Sequence, residues 1–110
     1  MFIKIREKIF NLTDAIFDIL YGIKTNGYYV NINPRAINLG YGPTYYIYLN
    51  KLYKKYPFES RDHLVDFGCG MGRVIFVAYR HGCKNITGVE INQDMYQMAL
   101  DNTKNIMQKC

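Results

Sequence analysis

Three glycines at alternate positions in the stretch LVDFGCGMGRVIFVA, residues 64 to 78, constrain this chain more than any other feature. Gly68, Gly70 and Gly72 follow an apolar run that closes with Asp66, and a second apolar run comes directly after them. Because glycine weakens both helices and strands, three so close together mark a turn whose backbone needs unusual angles or approaches another group closely. The stretch therefore predicts a short buried strand, a glycine turn and a helix.

The residues that follow extend this pattern. A helix is predicted from Arg73 to about Gly82, and NITGVEI predicts a second strand because it is rich in β-branched residues. A further helix is expected after Asn92, its cap, with Asp94 in the first turn. One face of that helix is expected to carry Met95, Met98, Ala99, Asn102 and Ile106. This order is typical of the opening of an α/β fold with a Rossmann-like, doubly wound parallel sheet.

Residues 1–39 are interpreted as an N-terminal helical segment and loop, ahead of a partial α/β domain at 40–110. Apolar residues at 4-3-4-3 spacing predict a helical stripe that packs against the chain's own domain and ends near Gly22. The stripe consists of Ile5, Ile9, Leu12, Ile16 and Ile19. A membrane-surface helix has similar spacing, but the mixture of acidic and basic residues favours packing within the domain.

Between these regions, residues 28 to 42 are rich in Tyr, Asn, Gly and Pro and predict an ordered loop. The segment TYYIYLNKLYKKY then predicts a helix that is capped by Thr44 and stopped by Pro57. Its packed side is expected to hold Tyr45, Tyr48 or Leu49, Leu52 and Tyr56.

Composition bounds the class of protein. With 49% hydrophobic and 21% charged residues, and no long apolar window or signal peptide, the chain is expected to be a globular, cytoplasmic protein without a membrane span. Its three cysteines lack metal-ligand spacing and are interpreted as reduced thiols. The net charge of +5 fits solvated helix faces better than a nucleic-acid surface. His63 and His81 are interpreted as structural or solvated.

A glycine turn between a parallel strand and a helix suits a cofactor, because the backbone can touch a ligand where side chains are missing. The sequence does not match the dinucleotide fingerprint G-x-G-x-x-G, because Arg73 occupies the position of the last glycine when counting starts at Gly68. The pattern here is instead D-x-G-x-G-x-G.

Two segments, VDFGCGMGR at 65–73 and ITGVEIN at 86–92, resemble the class I S-adenosylmethionine-dependent methyltransferases. The resemblance implies that Asp66 organises the glycine loop and the methionine amino group of the cofactor. It implies that Glu90 accepts hydrogen bonds from the two ribose hydroxyls and that Ile91 lies against the adenine. The implied cofactor-binding residues of the loop itself are Phe67, Gly68, Cys69, Gly70 and Gly72.

The upstream segment GYGPTYYIYL, residues 40–49, resembles a segment that covers the methionine end of the cofactor in some relatives, which makes Tyr41 and Thr44 candidates for that role. A helix start with Pro43 and a Thr44 cap explains the same residues without a ligand, and both interpretations stay open.

The resemblance implies the cofactor-binding half of a methyltransferase, a fragment that is not expected to be active alone. Its methyl acceptor is unidentified: a protein lysine, RNA or a small molecule. No catalytic residue is assigned, since in the family such residues follow the fourth strand, which would lie beyond Cys110. Self-association through an exposed sheet edge is also expected. The alternatives are a nucleotide- or dinucleotide-binding α/β domain and a non-catalytic interaction module with the same fold.

Overall fold

A computed structural model describes residues 2–26 and 43–107 of the chain. Its elements in chain order are α1 (Phe2–Tyr21), α2 (Tyr46–Lys55), β1 (His63–Phe67), α3 (Arg73–Arg80), β2 (Asn85–Val89) and α4 (Gln93–Met107). The two strands form a parallel sheet in which Leu64 is opposite Ile86 and Asp66 is opposite Gly88. The predicted order of strand, glycine turn, helix, strand and helix is confirmed, and the α/β class with it. The full doubly wound sheet stays a prediction.

Local signals placed three helix ends correctly, those of α1 and α3 and the start of α4. Gly82, at φ +94°, follows α3, and the amide of Cys83 donates to the carbonyl of Ala78 while that of Gly82 donates to Tyr79. This pair of bonds is the Schellman motif, which satisfies carbonyls at the end of a helix. Gly22 ends α1 in the same manner. At the start of α4, the Asn92 side chain accepts from the amide of Met95, so the predicted cap is confirmed.

The core lies between α2, α3 and one face of the sheet. Its buried members are Tyr46, Leu49, Tyr53, Val77, Ala78 and Cys83, with Phe17, Tyr21, Phe58, Leu64, Val74 and Ile86 packed around them. The prediction that β1 is buried was wrong: its residues alternate between exposed and half-buried, and Val65 is 44% exposed. With two strands among the described residues, the side of the sheet that carries Val65 and Val89 stays in contact with solvent.

The predicted buried stripe of α1 was also wrong. Ile5, Ile9, Leu12, Ile16 and Ile19 are all exposed, whereas Asp14 and Asp18 on another face of the helix are buried. Aromatic side chains of α1 pack on α2: the Phe10 ring lies 5.2 Å from that of Tyr45, and the Phe17 ring 5.2 Å from that of Tyr46. Aromatic contacts and polar bonds to the buried acids together outweigh burial of the aliphatic stripe.

In α2 the predicted face is displaced by about one residue. Tyr46, Leu49 and Tyr53 are buried, while Tyr48, Leu52 and Tyr56 are exposed. The Thr44 cap was wrong as well, since the helix begins after Tyr45 without a side-chain cap. The carboxylate of Asp14 instead accepts the amide of Tyr46 at 2.9 Å, so a residue distant in sequence performs the capping. The helix ends before Pro57, as predicted.

The predicted face of α4 is partly correct, because Met95 and Ala99 are buried but Met98 is 40% exposed. The Ile106 side chain, the 28–42 loop, Tyr41, Cys110 and the proposed boundary at residue 39 lie outside the described side chains. Within residues 2–26 and 43–107, no helix is long and apolar enough to cross a membrane.

Candidate cofactor-binding site

The glycine turn between β1 and α3 is anchored on the end of β2. The amides of Gly68 and Cys69 both donate to the carbonyl of Val89, at 2.7 and 3.0 Å. Gly68, Gly70 and Gly72 have φ angles of +78°, +54° and +92°, which residues with a side chain rarely adopt. The backbone conformation alone therefore accounts for all three glycines, and their predicted closeness to a cofactor stays a prediction.

Glu90, the first residue after β2, joins the two halves of the site. Its Oε1 accepts the amide of Gly70 at 2.7 Å, and its Oε2 accepts the amide of Asn92 at 2.9 Å. The side chain is therefore ordered against the glycine turn, 20 residues away in sequence. An ionised carboxylate offers about four lone-pair positions, so two bonds leave acceptor capacity on each oxygen.

Asp66, the second-last residue of β1, has a buried carboxylate oxygen without a hydrogen-bond partner. No described residue donates a hydrogen bond to its Oδ2, and that atom is withdrawn from solvent. Burial, and then the negative charge of Glu90, raise the pKa of the Asp66 carboxyl. Two carboxylates thus stand close to one glycine turn, one of them with an unused buried acceptor, and this arrangement favours a ligand group that donates hydrogen bonds or carries positive charge.

Two large apolar side chains flank the carboxylates. Phe67 directly follows Asp66 and is 80% exposed, and Ile91 directly follows Glu90 and is 71% exposed. Parallel strands end at the same edge of a sheet, so both side chains belong to the edge that holds the glycine turn. Apolar surface next to hydrogen-bond acceptors is the usual composition of a small-molecule site.

Cys69 is a packing residue of the turn. Its side chain is 8% exposed, and burial together with the charges of Asp66 and Glu90 raises the pKa of the thiol to about 11. The thiol is therefore protonated at neutral pH, which argues against a nucleophilic role. It also lies against β2, where a Cβ added to Gly88 would come within 2.9 Å of the sulfur and 2.4 Å of Ile75 Cδ1.

A groove of about 330 Å³ lies between α3, β2 and α4. Its walls are mainly apolar and include Ile75, Ile86, Tyr96 and Leu100, but neither Asp66 nor Glu90. An adenosyl ligand needs acceptors for its ribose hydroxyls, and this groove has no carboxylate to provide them. The edge formed by the glycine turn fits such a ligand better.

Sequence reasoning missed the role of the residue that directly follows the turn and joins it to α1. Arg73, the first residue of α3, is 2% exposed and forms a 2.8 Å ion pair with Asp14. Its guanidinium lies 4.3 Å from the centre of the Tyr46 ring, and it donates to Thr25 Oγ1 at 2.8 Å and to the carbonyl of Thr44 at 3.1 Å. The signal in the sequence was the placement of Asp14 among aromatic residues of α1.

The hydrogen bonds of the two histidines go to side chains other than the carboxylates of Asp66 and Glu90. His81 Nε2 is 2.7 Å from Asn50 Oδ1, and His63 Nε2 is 2.8 Å from Thr87 Oγ1. Burial and the charges of Lys54 and Arg80 lower the pKa of His81. These contacts agree with the structural interpretation of both residues. Among the residues whose positions are described, no cluster of three metal-ligating side chains occurs.

Comparison with known proteins gives two matches. Residues 29–110 match the family model described as "Histone methylation protein DOT1". A 47-residue segment, 43% of this chain, is 32% identical to the ribosomal protein L11 methyltransferase of Nitrosomonas europaea and spans 15% of that protein's length. No solved structure matches the chain at a significant level.

Proposed function

This chain belongs to the family of the histone methylation protein DOT1, within the class I methyltransferases, and we propose that it binds S-adenosylmethionine at the glycine turn. In this proposal it is the cofactor-binding part of a methyltransferase. The chain spans less than a fifth of the length of the curated relative that it matches. Methyl transfer by a whole enzyme is therefore also a proposal.

The contact between Glu90 and the amide of Gly70 carries the proposal. It brings a strand-end carboxylate, which has acceptor capacity left, beside a turn made of glycines. A ribose offers two hydroxyl donors, which a carboxylate can accept in bidentate fashion. A phosphate at that position would be repelled, which disfavours phosphorylated riboses.

Asp66, Phe67 and Ile91 extend the fit to the rest of the molecule. The half-buried carboxylate of Asp66, beside the turn, offers a negative charge that suits the positively charged amino group of the methionine part. The exposed side chains of Phe67 and Ile91 offer apolar surface to the adenine. The cofactor supplies an activated methyl group, and the role of these residues is to hold and orient it, since alignment of donor and acceptor contributes much of the rate.

A protein acceptor is the best supported of the acceptors that the sequence leaves open. The family description names histone methylation, and the relative's name gives ribosomal protein L11 as its substrate. With the methyltransferase of which this chain is the proposed cofactor-binding part, transfer of radiolabelled methyl groups from the cofactor to a purified histone, to ribosomal protein L11 and to RNA would compare these classes. Label in RNA alone would contradict a protein acceptor.

Calorimetric titration with S-adenosylhomocysteine and with NAD tests the cofactor assignment. We expect binding of S-adenosylhomocysteine, and Ile91→Ala should weaken it about tenfold, because roughly 1.5 kcal/mol of apolar contact is lost. Ile19→Ala is the matched control, since Ile19 is 79% exposed on α1 and should leave the affinity unchanged. Binding of NAD without S-adenosylhomocysteine would overturn the proposal.

A further inference from the structure

The stripe of apolar residues on α1, here named the α1 seam, faces away from the rest of the described structure. Its members are Ile5, Ile9, Leu12, Ile16 and Ile19, and they are between 48% and 79% exposed. The seam is about 21 Å long, given the rise of 1.5 Å per residue in a helix. A continuous exposed apolar strip of this kind marks an interaction surface.

Contacts on the opposite face of α1 fix the orientation of the helix. A rotation of α1 about its axis therefore cannot bury the seam without breaking those contacts. Asp14 and Asp18 are 2% and 7% exposed. Asp14 is paired with Arg73, and Asp18 accepts bonds from Thr25, Asn26 and the Tyr46 hydroxyl. Turning the seam inward would break this network and leave the buried Arg73 without its counter-ion, which is strongly destabilising.

The spacing of the seam identifies the kind of partner. Intervals of 4, 3, 4 and 3 residues give the 3.5-residue period of a coiled-coil seam, narrower than the stripe that packs on an extended core. Ile9 and Ile16 occupy the first apolar position of the heptad, and Ile5, Leu12 and Ile19 the second. The seam therefore suits another helix with the same period, and α1 itself has that period.

The charges of α1 determine the direction of such a pairing. Lys4, Arg6 and Lys8, with Glu7 as the only acid among them, lie in its first half. In the second half the charged residues are Asp14 and Asp18, both buried, and the last turn has no basic residue to offset the negative end of the helix dipole. A parallel pair would bring the cations together, whereas an antiparallel pair places each cationic half beside the half of the other helix whose only charged side chains, Asp14 and Asp18, are buried.

We propose that the α1 seam packs against the same seam of a second copy of this chain, antiparallel and two-fold symmetric about Leu12. In this arrangement Ile5 of one copy lies opposite Ile19 of the other, and one surface serves both copies, as two-fold symmetry requires. A membrane surface fits less well, because the cations stand at one end of the helix instead of along its length.

Sedimentation equilibrium of the full chain tests the pairing. We expect a monomer–dimer equilibrium whose dissociation constant rises at least tenfold in Leu12→Glu, since a charge is then buried at the centre of the seam. Ile91→Lys, at a position 71% exposed outside α1, is the matched control and should leave the equilibrium unchanged. Circular dichroism checks that both variants keep their helix content.

A monomeric wild type would overturn the proposal, as would a dimer that Leu12→Glu leaves intact. Loss of the dimer in Ile91→Lys but not in Leu12→Glu would assign association to the sheet edge instead. Binding of the monomer to anionic vesicles through Leu12 would identify a membrane as the occupant and would also overturn it.

Disulfide trapping tests the direction of the helices. In a Cys110→Ser background the remaining natural cysteines, Cys69 and Cys83, are buried. An antiparallel pair predicts that chains with Ile5→Cys and chains with Ile19→Cys cross-link when they are mixed, and that neither cross-links alone. Cross-linking within each separate sample would show a parallel pair and contradict the proposed arrangement.

Discussion

The carboxylate of Asp14 lies 2.8 Å from the guanidinium of Arg73, and both side chains are 2% exposed. This ion pair connects the middle of α1 to the first residue of α3, which directly follows the glycine turn in the sequence. A helix that precedes the α/β unit in sequence is thereby joined to its candidate ligand site.

Removing one member of this pair should be costly. Asp14→Ala leaves the Arg73 charge buried and also removes the acceptor for the Tyr46 amide, so we expect a loss of about 3–5 kcal/mol in the free energy of unfolding, measured with urea. The exposed pair of Arg61 and Glu59 is the control, and Glu59→Ala should cost roughly 1 kcal/mol or less. Equal losses in the two variants would contradict the interpretation.

Gly88 should tolerate a methyl group only if its neighbour gives way. A Cβ there would lie 2.4 Å from Ile75 Cδ1, so Gly88→Ala is expected to cost about 1–3 kcal/mol through overpacking. Ile75→Val removes that Cδ1 atom. The double variant should therefore be more stable than Gly88→Ala alone, and additive losses in a double-mutant cycle would exclude the contact.

In the absence of a ligand, the charge of the Asp66 carboxylate should lower the free energy of unfolding. Its pKa is raised by burial and by the charge of Glu90, so the protonated form is favoured by folding and its contribution is lost as pH rises through the folded pKa. Asp66→Asn should therefore unfold at a higher temperature than the wild type at pH 7, while its binding of S-adenosylhomocysteine should be weaker. Thermal unfolding and calorimetry measure the two effects, and a destabilised Asp66→Asn chain would contradict the first.

Alkaline pH should unfold the protein through its buried weak acids. Burial first, and then nearby negative charge, raise the pKa of Cys69 from 9.0 to about 11 and that of Tyr53 from 10.0 to about 12. Their contribution to stability is complete below pH 9 and is lost as pH rises through the folded pKa values. Urea unfolding at pH 8, 9.5 and 11 would detect it.

Tyr53→Phe is the control for the alkaline effect, since it keeps the ring and removes the ionisable hydroxyl. Its stability should fall less between pH 9.5 and 11 than that of the wild type. An identical pH dependence in the two chains would show that Tyr53 does not contribute.

The sequence by itself determined the features that depend on neighbouring residues. Gly22 and Gly82 ended their helices, Asn92 capped α4, and the glycine turn separated β1 from α3, because left-handed backbone angles and capping bonds involve only a few consecutive residues. The predicted closeness of Asp66, Glu90 and the turn followed from parallel strands ending at one edge.

Only the tertiary structure decided which faces are buried. The aliphatic seam of α1 predicted the wrong side, because Asp14 has its partner at Arg73, 59 residues away, and a buried charge must remain beside its counter-ion. The register of α2 was likewise decided by the Tyr46 contacts with α1, and the exposure of β1 by the number of strands beside it. Burial depends on what packs against an element, and spacing within that element does not contain this information.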